Sequence, residues 1–124
     1  MSVMLQDIGA EAMLKVLFRN DRASPGNLIL TLYTNDITPA EDDDLNHYTL
    51  LAEEPSLTAK ILDLGTSWVV AQENGIFVAT YPQQDFVFAG PIDAGACYGY
   101  VVYDLESVLW FSERFVSPYI PLMA

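Results

Sequence analysis

Residues 27–40, NLILTLYTNDITPA, decide the reading of this chain. Leu28, Leu30 and Leu32 share one face of an extended segment, and Ile29, Thr31 and Tyr33 share the other, which is the period-two pattern of a β-strand. The strand runs into Asn35, Asp36 and Pro39, residues that form turns because their side chains or ring replace a continuing ladder. Working outward from it, the same alternation with intervening Gly, Pro, Asn or Asp predicts strands near 28–34, 58–64, 67–72, 75–81, 85–89, 96–104 and 108–115. Strands of that spacing predict an antiparallel β-sandwich, jelly-roll-like in having two packed sheets with strand-switching connections.

The clearest local signal is the pair 67–72 and 76–81, joined by Glu73-Asn74-Gly75. Asn-Gly supplies the positive φ angles that a tight hairpin turn requires. In the later strands, parity places Phe86 with Phe88, Tyr98 with Tyr100 and Val102, and Leu109 with Phe111 and Phe115, as rows of the core. Glu113 has the parity of Phe111 and Phe115, so it needs a partner such as Arg114 or a bulge in its strand. Trp68, Trp110, Tyr48, Tyr81, Tyr103 and Tyr119 remain as surface aromatics, the residue types that interfaces favour.

The N-terminal segment differs in kind. From Val3 to Arg19 there is no proline, and Leu5, Ile8, Ala12 and Lys15 recur at three and four residues beside Met4, Met13, Leu14, Leu17 and Phe18, which predicts an amphipathic helix. Ser2 can cap it, and Lys15, Arg19 and Arg22 suit the negative end of its dipole. Gly9 costs such a helix about 1 kcal/mol relative to Ala. Residues 20–26, NDRASPG, read as a linker. Residues 1–22 are thus expected to be a docking or oligomer element, presenting Met4, Leu5, Ile8, Met13, Leu17 and Phe18, and residues 23–124 a β-sandwich domain that adds Tyr119 to the interface.

At 124 residues the chain has the length of one domain, and its 15 aromatics and 52% hydrophobic content support a real core. The net charge is −12. Charges in residues 1–22 cancel, so the remaining 14 acids face only Lys60 and Arg114. A body this acidic repels phosphate backbones, which argues against nucleic-acid binding. No apolar run approaches the length of a bilayer span and no export signal is visible. The lone Cys97 sits among strand residues and is expected to be a buried, inert thiol.

Residues 42–53, DDDLNHYTLLAE, place Asp42, Asp44, Asn46 and Glu53 at positions one, three, five and twelve of a calcium-loop pattern. His47 stands where that loop needs glycine, and a strand and Pro39 stand where its entering helix belongs, so an acidic surface loop is expected and no metal. His47 is the only histidine, and no GxSxG, CxxC, HExxH or phosphate-binding loop accompanies it. No cofactor and no enzymatic activity are expected.

The opening strand, with TYPQQDFVFAGP at Thr80–Pro91, ACYGYVVYD at Ala96–Asp104 and VLWFSERF at Val108–Phe115, resembles a family of small tailed-bacteriophage virion proteins. The likeness runs from about Gly9 to Phe115. It implies a non-enzymatic structural protein, assembled in the host cytoplasm, on the outer surface of the head or an external appendage. Its first implication is a capsid decoration or cement protein that bridges subunits of a major capsid protein as a homo-oligomer, with a trimer favoured. The alternative is a tail or head-fibre module contacting a host surface glycan. ACYGYVVYDLES departs from the family pattern, which is richer in glycine before the last hairpin, and the short C-terminus SPYIPLMA lacks a fibre tip.

Overall fold

The computed structural model describes residues 4–5, 7–14, 18, 27–53, 57–63 and 67–121. The elements are β1 (Met4–Leu5), α1 (Asp7–Leu14), β2 (Asn27–Tyr33), β3 (Lys60–Asp63), β4 (Val69–Glu73), β5 (Ile76–Thr80), β6 (Cys97–Asp104) and β7 (Leu109–Tyr119). The fold is mainly β, with antiparallel pairing throughout and one short N-terminal helix. Five strands form one sheet in the order β1-β7-β6-β2-β3, while β4 and β5 form a separate two-stranded ribbon. The expected sandwich is therefore met in its coarser part, antiparallel sheets with a helix in front.

The opening strand lies inside the large sheet, with Leu30 opposite Val102 of β6 and Ile29 opposite Ile61 of β3. Side chains pack against both of its faces. Beneath one face Tyr33, Tyr48, Val101 and Leu109 pack together with Ile37 and Leu45 of the 34–50 loop. Across the other, Leu28, Leu62, Val102 and Trp110 meet Ala12 of α1, and Leu32, Leu51, Leu57 and Cys97 meet Phe86, Phe88 and Ile92.

The 34–50 loop is closed by side chains that the sequence marked as turn formers. Asn35 accepts from the Thr49 amide through Oδ1 at 2.8 Å and donates through Nδ2 to the His47 carbonyl at 2.9 Å. Asp36 takes Arg114 Nη2 at 2.7 Å, and the other guanidinium arm donates to the Ile37 carbonyl at 2.8 Å. Arg114 thus pairs across the fold, not with Glu113. Glu113 lies opposite Tyr100 and accepts its hydroxyl.

Several expectations need correction. Met4 and Leu5, expected in the helix, form β1 and pair with Ser112 and Phe111. The described helix begins at Asp7, and Ser2, Lys15, Leu17, Arg19, Arg22 and the 20–26 linker lie outside the described residues. A Cβ on Gly9 would stand 2.8 Å from Trp110 Cα and 2.9 Å from the Leu109 and Trp110 carbonyls. The glycine that weakens the helix is what lets α1 approach the backbone of β7.

Residues 85–89 form no strand; Phe86 and Phe88 turn inward while Asp85, Val87 and Ala89 stay exposed, so the alternation persists without a ladder partner. Leu109 and Phe111 fall on opposite faces because Val102 pairs with Phe111 and Tyr103 with Leu109, which leaves Trp110 as an extra residue in a bulge. A second irregularity lies between Cys97 and Gly99, where β7 carries the extra residues, and there Tyr98 packs on the face opposite Tyr100 and Val102. Tyr48 and Trp110, expected at the surface, are buried. Cys97 is buried as expected, and burial pushes its thiol pKa up. The hairpin turn follows expectation, with Asn74 at φ 51° and Gly75 at φ 80°.

Candidate functional site

A sheet face has to be covered by something, and here the cover over Leu30, Leu32, Tyr100 and Val102 is incomplete. Between that face and residues 79–88 lies an open groove of about 1040 Å³. Its walls are apolar and aromatic: Trp68, Tyr81, Phe86, Phe88, Phe111 and Phe115 among them, with Tyr119 at the end of β7. Side chains that parity assigned to a closed core are its lining, because the chain supplies no second full sheet to seal them among the described residues.

The walls are held by specific contacts. Trp68 and Tyr81 meet with centroids 5.0 Å apart, and Tyr81 Oη accepts the Asp63 amide at 3.2 Å, tying the foot of the ribbon to β3. Phe88 and Tyr119 meet at 5.1 Å. Polar groups are few. Tyr100 reaches Glu113, and burial first, then that carboxylate, raise the phenol's pKa. The Trp68 indole N–H is buried with no acceptor among the described residues, a costly state for a donor. At one rim the Lys60 ammonium lies over the Phe86 ring, 5.0 Å from its centroid.

The groove offers apolar area and shape. Among the described residues no three His, Cys, Asp or Glu side chains gather to hold a metal. The acidic loop uses its carboxylates on itself: Asp43 Oδ2 accepts from the Ala40 amide and the Tyr48 hydroxyl, both at 2.9 Å, and Asp44 Oδ1 accepts from the Asn46 amide at 3.0 Å. Asp42 and Glu53 are exposed. Among the described residues no helix is long and apolar enough to cross a membrane.

His47 closes the capping box of the short 45–47 turn. Its Nδ1 accepts the Asp44 amide at 3.1 Å when neutral and lies 3.0 Å from Asp44 Oδ1, to which it donates when protonated. The Asp44 side chain is the main cause of a pKa raised above the ordinary histidine value. A raised folded-state pKa means the stabilisation is fully present below the unfolded value near 6.5 and is lost as pH rises through the folded one. An NMR titration of this single histidine should find a midpoint above 6.5, and Asp44→Asn should bring it back down.

Of the residues expected at an interface, Tyr119 lines the groove. Ile8 is exposed on α1, and Phe18 is exposed beyond it, whereas Met13 is half-buried against Trp110 and its neighbours. Met4 and Leu5 are described only as strand backbone, and Leu17 lies outside the described residues. Leu14 was not singled out and is exposed. The ribbon was read as a hairpin but not as a surface, although its strands carry apolar residues at successive positions, a pattern no one-sided strand shows. Comparison with protein families, curated proteins and solved structures finds no match to this chain.

Proposed function

We propose that the protein is a non-enzymatic virion structural protein, a decoration or cement protein on the outer surface of a bacteriophage head. The observation that carries this reading is the placement of exposed apolar side chains on an acidic body. Most of them gather on three features, Ile8, Leu14 and Phe18 in the N-terminal segment, Val69, Val70 and Phe77 on the ribbon, and Val116, Tyr119 and Ile120 at and just past the end of β7, while Ile61, Val87 and Leu105 are exposed singly. Grouped exposed apolar residues mark surfaces that other proteins cover.

In this reading the N-terminal segment docks on the major capsid protein or another virion protein, and the groove and ribbon join copies of the chain to one another. The resemblance in sequence favours a trimer. The ribbon and residues 82–96 then act as the incomplete second layer of a jelly-roll-like sandwich that assembly completes. Net charge −12 keeps the body away from packaged nucleic acid and turns it outward. The mechanism is burial of surface repeated over symmetric copies, with no chemical step.

Purified protein added to capsids that lack it should bind to saturation at a fixed ratio. Leu14→Asp should abolish that addition while leaving the circular dichroism spectrum unchanged. Absence of saturable addition by the unchanged protein would overturn the decoration reading. The aromatic rings of Tyr81 and Tyr119 in the groove favour the second reading, a glycan-binding fibre or tail module, because such rings can stack on sugar faces. Saturable glycan binding lost in Tyr119→Ala would establish that alternative.

A further inference from the structure

We propose that the β4–β5 ribbon of one copy docks in the sheet groove of a second copy, an arm-to-groove contact that rests on the homo-oligomeric reading above. A two-stranded ribbon is marginal in water on its own. This one pairs with no other described strand and every described side chain along it is exposed, Val70 by 69% and Phe77 by 74%. Val70, Ala79 and Phe77 share one of its faces with Gln72, while Val69, Ala71 and Glu73 share the other with Thr80, so a ribbon inserted in a groove meets its walls with both faces; Ala79, at the base, also borders the groove of its own chain. The chain that carries this uncovered ribbon also carries an open aromatic groove. Each supplies the cover the other lacks.

Charge selects a second copy as the occupant and sets its orientation. The only charged side chain along the ribbon is Glu73, next to its tip. Within the β body, Arg114 is engaged by Asp36 and Ile37, and Lys60 forms no ion pair among the described residues. Lys60 shares the groove face with Leu62 and stands over Phe86, a lining residue. A ribbon entering the groove with Glu73 toward Lys60 gains an opposite-charge contact, while the other carboxylates of two acidic bodies repel and disfavour other registers. The contact is directional, from arm to groove, so its repetition closes a ring if the rotation allows, and three copies form such a ring.

The test is sedimentation of the full chain, without any capsid, for the unchanged protein, Lys60→Glu, Glu73→Lys and the double exchange. Neither side chain is buried, so circular dichroism should be the same for all four. The unchanged protein should self-associate. Each single exchange should raise the dissociation constant about tenfold by setting like charges together, and the double exchange should restore most of that loss. Phe77→Asp should leave a monomer.

A monomeric unchanged protein overturns the proposal, as does a double exchange no tighter than the weaker single one. A monomer that takes up an apolar dye in the groove would assign the groove to a small ligand and likewise overturn it. The capsid reading fails separately. A chain with charge-swap rescue that does not add to capsids keeps the arm-to-groove contact and loses the decoration role, and one that adds to capsids as a monomer does the reverse.

Discussion

Gly99→Ala should lower the melting temperature by about 10 °C or more, following a loss of about 3 kcal/mol or more, the upper range for overpacking a tight interior. Gly99 lies opposite Tyr33 in the β2–β6 pairing. The phenol ring of Tyr33 crosses it and its hydroxyl donates to the Ile37 carbonyl at 3.2 Å. A Cβ at position 99 would stand 2.6 Å from Tyr33 Cε1 and 2.7 Å from its hydroxyl oxygen, and would collide with the Glu113 carbonyl. The ring is fully buried, and the carbonyl belongs to the neighbouring strand, so neither can move aside alone. Gly90→Ala is the control: nothing lies within 4 Å of a Cβ there, and its thermal melt should match that of the unchanged protein within about 0.5 kcal/mol. If the two variants melt alike, the close approach of β6, β7 and Tyr33 is not what the sequence encodes at position 99.

Asp104→Asn should cost about 2–4 kcal/mol in chemical denaturation, with little change in the slope against denaturant. Asp104 ends β6 and is 1% exposed. Its Oδ1 accepts the Glu106 amide at 2.9 Å and the Val108 amide at 3.0 Å, and its Oδ2 accepts the Trp110 indole N–H at 2.9 Å. One carboxylate therefore closes the β6–β7 turn, where Ser107 takes φ 63°, and fixes the bulged tryptophan. An asparagine keeps the Oδ1 bonds but turns an NH2 group toward the indole donor, so two donors face each other in a buried place. Asp104→Ala loses all three acceptor contacts and should be worse. Equal stability of Asp104→Asn and the unchanged protein would show that the indole bond contributes nothing.

How far the fold was legible follows from what each signal depends on. The strand at Asn27 and the Asn74-Gly75 turn are written in local preferences, period and positive φ, and both stand where they were read. The faces of β7 were not legible, because parity counting assumes an unbroken ladder. The extra residue at Trp110 is held by Asp104 from another strand, and nothing local to Leu109–Phe115 announces it. Phe86 and Phe88 alternate as a strand would, yet the residues that would pair with them are absent from the sheets described. The groove was hidden for a related reason: alternation tells which side chains share a face, not whether anything covers it. Tyr119 was legible as a surface aromatic, while its groove partner Phe88 was read as core.

The central place of β2 has a consequence for synthesis. Its ladder with β6 joins Leu28–Tyr33 to Gly99–Asp104, and only the four-residue β3 comes earlier to its other edge. As the chain leaves the ribosome, NLILTLY must wait for about seventy more residues, on the order of 4–14 s at 5–20 residues per second, before its longer partner is complete. The β4–β5 and β6–β7 hairpins close locally within about 1–10 μs once made, so the wait for distant closure sets the pace. Throughout that interval an apolar strand with an open edge is available to another nascent copy. Crowded synthesis is where that exposure would be felt, as aggregation that falls when chains are initiated less often.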